Sequence, residues 1–214
     1  MNDDLTAVKA GIANGADING TNNKYKATPM HTAAGEGNIT ILRELVAAGG
    51  EISTPDCAGR TPLMYAAKSG SVAISRYLVE NGADVNRRIS DADVTCKEVH
   101  PDSSALTVAA AFNKPEVVRY LLDNGARTGG QRALAHGLAS PSGEPVVASL
   151  KAAGFTADEQ TARMVAEISQ AGGQQAAQQT QTASSQQSDD GYDVVDAAVD
   201  TAAVSVLWSV LGGF

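Results

Sequence analysis

The chain has 214 residues, of which 43% are hydrophobic but only 4% aromatic, a length that fits one domain with an appendage. Its net charge of −8 is lopsided: residues 164–214 hold six acidic side chains and no Lys or Arg, leaving −2 for residues 1–163. The balance argues against a nucleic-acid reader built on clustered cations, and two cysteines 39 residues apart, Cys57 and Cys96, form no CxxC metal site; they read as free thiols of a reducing compartment, with a single disulfide between them as the alternative.

In chain order, MNDDLTAVKAGIANGADIN carries early acids and no basic stretch leading into a long apolar run. No secretory signal is expected, and the chain is expected in the cytoplasm, with a signal-independent export route left open. Leu5 to Asn19 reads as a half-unit, mostly one helix. Thr28-Pro29-Met30-His31-Thr32-Ala33-Ala34 then recurs as Thr61-Pro62-Leu63-Met64-Tyr65-Ala66-Ala67, 33 residues on. It recurs more loosely, 43 further on, as Ser104-Ala105-Leu106-Thr107-Val108-Ala109-Ala110. A closing signature keeps step with it: Gly15-Ala16-Asp17-Ile18-Asn19, Gly49-Gly50-Glu51-Ile52-Ser53, Gly82-Ala83-Asp84-Val85-Asn86 and Gly125-Ala126-Arg127-Thr128.

Each unit encodes two helices. Thr61 is placed to cap the first with its hydroxyl, and Pro62 fits the first turn, where a missing N–H costs little. Ala66 and Ala67 allow close helix approach. Ile74, Tyr77 and Leu78 make an apolar stripe at i, i+3 and i+4 on the second helix, as do Ile41, Leu42, Leu45 and Val46 before it and Val117, Val118, Leu121 and Leu122 after it. Gly82 supplies a left-handed stop. Asp56-Cys57-Ala58-Gly59 reads as the turn into the next pair.

These coupled motifs resemble the ankyrin-repeat family, whose unit is about 33 residues. The resemblance is good over residues 3–130 and weak over 131–156. It implies an all-α repeat solenoid, a stack of helix–turn–helix units with β-hairpin loops. The parts would be a half repeat at 3–19, full repeats at about 20–53, 54–86 and 97–129, a degenerate repeat at 131–156 and a capping helix at 157–171, together a domain over 1–171. His31, by the same resemblance, ties one repeat's loop to the next by hydrogen bonds. The implied function is non-catalytic binding of another protein through the inner face of the first helices and the hairpin tips. On the inner face this gives Thr32 and Glu36, then Tyr65, Lys68 and Ser69, then Val108, Ala111 and Phe112. At the tips it gives Asn23, Lys24, Tyr25 and Lys26, then Asp56, Cys57 and Arg60, then Arg87 and Arg88.

The sequence departs from this pattern in two places. The 43-residue spacing implies about ten extra residues between Asn86 and Ser104, which read as a tolerated surface loop, with a binding finger as the alternative. Residues 172–191 are Gln/Ser-rich without apolar periodicity and read as a disordered linker. Residues 192–214 read as an amphipathic helix, with Asp193, Asp196 and Asp200 on one face and Val195, Val199, Ala202 and Val206 on another. The uncharged end from Thr201 to Phe214 falls short of the roughly 20 residues that cross a bilayer. An alternative is a membrane-associated or self-associating scaffold using 192–214. A second is an enzyme with a site near Cys96 and His100, but no motif or side-chain set supports catalysis, a metal or a cofactor.

Overall fold

A computed structural model describes residues 2–21, 25–89 and 103–170. Residues 90–102 of the inserted loop, the Gln-rich linker and the amphipathic segment lie outside these residues, as do Asn23, Lys24, Cys96 and His100. The described regular structure is helical: α1 (Asn2–Ala13), α2 (Pro29–Gly35), α3 (Ile39–Ala47), α4 (Pro62–Ser69), α5 (Val72–Glu80), α6 (Ala105–Ala111), α7 (Pro115–Asp123), α8 (Gly130–Ala139) and α9 (Glu144–Ala152). Residues 159–170 are also helical.

Proline opens α2, α4 and α7, where its ring costs no intrahelical bond. Second helices α3 and α5 begin on the side chains of Asn38 and Ser71, which accept from the N–H groups of Ile41 and Ile74. The expected cap from Thr61 is not made: no side-chain bond from it reaches α4. Gly82 and Gly125 stop α5 and α7 at φ 97 and 83. With glycine left-handed there, Gly82 and Ala83 return their N–H groups to Val79 and Leu78, and Gly125 and Ala126 to Leu122 and Leu121, at 2.9–3.0 Å.

The helices pack in two rows. First helices α2, α4, α6 and α8 each contact the next, as do α1, α3, α5, α7 and α9. Ala33, Ala34, Ala66, Ala67, Ala109 and Ala110 are buried in the first row, their small side chains permitting close approach. Leu42, Leu45, Ile74, Leu78, Val117, Val118, Leu121 and Leu122 are buried in the second. The closing signature carries a further tie, because Asn19 and Asn86 each reach across to the next unit. Asn19 accepts from the Glu51 N–H at 2.8 Å and donates to the Gly49 carbonyl at 3.2 Å. Asn86 accepts from the N–H groups of Arg127 and Thr128 and donates to the Gly125 carbonyl at 3.0 Å.

Strands of the expected hairpins do not form among the described residues. At residues 56–60 the Asp56 carboxylate accepts from the Ala58 and Arg60 N–H groups, and the Cys57 N–H donates to the Tyr25 carbonyl at 2.8 Å. At the base of the longer spacing, Arg88 and Ser104 meet in an isolated antiparallel bridge and the Ile89 N–H donates to Ser103 at 3.0 Å. After α9, Phe155 packs so closely over Gly130 that a methyl group there would lie 2.0 Å from its ring. Asp158 then caps the last described helix, accepting from the Thr161 N–H at 2.7 Å.

Replacing Leu121, fully buried between neighbouring units, with alanine is expected to destabilise the chain by about 2–5 kcal/mol, read as a lower urea midpoint at unchanged slope.

Candidate partner-binding face

The first helices are buried except on one side. On α4, Pro62, Leu63, Met64, Ala66 and Ala67 are buried, while Tyr65, Lys68 and Ser69 are half-buried. Their i, i+3, i+4 spacing makes them one face. The same register on α2 leaves Thr32, Gly35 and Glu36 exposed. On α6 it falls on Val108, Ala111 and Phe112, of which Val108 and Ala111 are buried and Phe112 is half-buried. Contacts stitch this face together. The His31 and Tyr65 rings meet edge-on at 5.1 Å, and the Lys68 ammonium stands 5.4 Å from the centre of the Phe112 ring. The Ser69 hydroxyl lies 3.1 Å from the carbonyls of Ala34 and Ala66.

Beneath the face lies a buried polar network. Asp56 Oδ1 accepts from the Ala58 and Arg60 N–H groups, each at 2.9 Å. Its Oδ2 accepts from Arg60 Nε at 2.7 Å and the Tyr65 hydroxyl at 2.9 Å. The carboxylate is thereby fully satisfied, which a buried charge requires. The Arg60 guanidinium also stands over the Tyr65 ring at 5.4 Å. Burial pushes the Tyr65 hydroxyl well above its ordinary range, and burial beside Arg60 lowers the Lys68 ammonium.

His31 joins this network to the previous unit. Its Nδ1 accepts from the Thr28 N–H at 3.1 Å, which leaves Nε2 to donate to the Arg60 carbonyl at 3.0 Å. The Thr28 hydroxyl lies 2.9 Å from the same Nδ1. The ring therefore works as the neutral Nε2–H tautomer, and burial lowers its pKa.

A helix pair recurring at 33 residues, tied to the next pair by an opening histidine and a closing asparagine, has a counterpart among known families. A family model described as ankyrin repeats (3 copies) matches residues 1–89. Residues 1–89 are ankyrin repeats. The units containing α6 to α9 lie beyond the match but continue the packing order of the ankyrin repeats. Ankyrin repeats indicate a protein–protein interaction module. No curated protein matches the chain.

The residues singled out from sequence divide into three groups. Thr32, Glu36, Tyr25, Lys26, Arg87 and Arg88 are exposed, and Tyr65, Lys68, Ser69 and Phe112 half-buried. Asp56 and Arg60 are a correction. Placed at an accessible tip from the sequence, they are buried against each other because the Asp56 carboxylate folds the turn around itself. Val108 is another, closed off in the first-helix row between α4 and α8. Cys57 is a third: it is buried and disulfide-bonded, not a free thiol. Cys96 is the chain's other cysteine. The Asp56–Arg60 pair had a readable signal, opposite charges four residues apart around a turn glycine. Among the described residues no three His, Cys, Asp or Glu side chains gather as a metal set, and no helix is long and apolar enough to cross a membrane.

The His31 arrangement sets a pH dependence. Its folded-state pKa lies below the ordinary 6.5, so the unfolded chain takes up the proton first. This contribution to stability is complete above about pH 6.5 and is lost as pH falls below it. The melting midpoint is expected to fall between pH 7.5 and 5.5, and to fall less steeply in His31→Gln.

Proposed function

We propose that the chain is a non-catalytic binding module for another protein, a solenoid of ankyrin type that runs through α9 and is closed by the helix at 159–170. The partner would lie along the open face of successive first helices, with Thr32 and Glu36 on α2, Tyr65, Lys68 and Ser69 on α4 and Phe112 on α6 as contact positions. Tyr25 and Lys26, with Arg87 and Arg88, would form its rim. The observation that carries this reading is the register itself: on α2 and α4 three positions of one face are left open beside helices otherwise buried, and at the end of α6 the same register leaves Phe112 half-open.

Tyr65 would present a ring edge held in place by Asp56, so it would enter a complex already ordered and lose little side-chain freedom. Lys68 over Phe112 gives the middle of the face a cationic and aromatic character, and Tyr65 beside them is of a type enriched at interface hot spots.

Thr32→Arg with Glu36→Lys changes two exposed side chains without disturbing the network below. A partner captured from the native host by the full chain is expected to lose at least about tenfold in affinity for this variant, about 1.4 kcal/mol, with the melting midpoint unchanged. A partner held equally by both proteins would move recognition off this face.

A further inference from the structure

The outer row repeats a contact that its last member lacks. Arg43 on α3 stands over the Tyr77 ring on α5 at 5.4 Å, and Arg76 on α5 stands over the Tyr120 ring on α7 at 5.6 Å. Both tyrosines lie five residues before the glycine that closes their helix, and both arginines lie six before theirs. Arg119 holds the same place on α7. Counting back five from Gly154 on α9 gives not tyrosine but Ser149, whose hydroxyl is turned onto its own helix, 2.9 Å from the Pro145 carbonyl.

A cleft of about 330 Å³ opens at this position, lined by Arg119, Asp123 and Arg127 on one side and Ser149, Ala152 and Ala153 on the other. Two of its wall residues match the surroundings of Tyr120 in the register. There, burial raises the phenol pKa, with Glu80 acting in the same direction and Arg76 opposing it. Asp123 and Arg119 occupy the positions of Glu80 and Arg76 in the register. A ring entering the cleft would find a guanidinium for its face and a carboxylate to accept from its hydroxyl, with two alanines leaving the floor open.

We infer that this cleft is a tyrosine seat and that its occupant is Tyr192 of the same chain. Four of the chain's five tyrosines, Tyr25, Tyr65, Tyr77 and Tyr120, stand within the described repeats, and Tyr192 is the fifth. It is flanked by Asp190 and Asp193, which match the cations Arg119 and Arg127. Residues 171–191 separate it from the last described helix, a stretch that spans up to about 70 Å when extended. That helix touches α8 through Thr161 and Gln131, so the cleft on α7 and α9 lies one or two helix spacings away, about 10–20 Å. Docking there closes the exposed end of the outer row with the ring that the repeat pattern omits.

The test is solution NMR of the full chain, comparing wild type with Tyr192→Ala, Tyr192→Phe and Ser149→Tyr. The expected result is contact between the Tyr192 ring and the methyl groups of Ala152 and Ala153. Tyr192→Ala is expected to shift the amides of Ser149, Ala152 and Ala153 and to leave those of α2 to α5 in place, and Tyr192→Phe to shift them less. Ser149→Tyr is expected to fill the seat and release the Tyr192 ring to the signal of a solvated residue. Unchanged α9 amides in Tyr192→Ala would overturn the proposal. So would ring contacts that vanish on dilution, which would make the occupant a second copy.

Discussion

A helix pair of seven and nine residues, such as α2 and α3, is too short to be stable alone in water and too small to bury both of its faces. Its apolar stripe is satisfied only when another pair is laid against it, so the unit of stability is the interface between neighbours. The alanines of the first helices and the leucines, valines and isoleucine of the second serve that interface from opposite sides. Asn19 and Asn86 then fix the spacing from one pair to the next through bonds to backbone groups at the surface, and His31 does so by pairing a buried carbonyl, that of Arg60. The neutral state of His31 belongs to the same constraint, since a charge there would have to be desolvated with every neighbour in place.

The same stacking decides what the protein can offer to others. Within that row α4 spends two sides on its neighbours α2 and α6 and a third on its own α5, so one side remains. The side chains there are held from below, Tyr65 by a carboxylate that also folds the preceding turn. A face of that kind is ordered before a partner arrives, which lowers the cost of binding. On the outer side, arginine over tyrosine repeats from one unit to the next until α9, where the ring is missing and a cleft takes its place.

Much of this was legible in the sequence because the period is strict. The TPMHTAA and GADIN elements placed the helix pairs and the stop at Gly82, set by short-range chemistry, while the tie made by His31 came from the resemblance to ankyrin repeats. The tips were harder to read. Asp56 and Arg60 look solvent-exposed as letters, and only the closure of the turn brings four donors onto one carboxylate. Val108 occupies the same register as Tyr65, yet it is sealed in the row. A register shared along the chain does not reveal how much of each position its neighbours cover.

The most direct test of interdependent stacking is native-state hydrogen exchange on the full chain with and without Leu121→Ala. If stability resides in the interfaces, the substitution in α7 lowers protection at Leu78 and Leu45 on α5 and α3 as well as within α6 and α7, by amounts that decline with distance. Loss of protection confined to α6 and α7, with α3 and α5 unchanged, would mean that the pairs are stable units in themselves and would contradict the account.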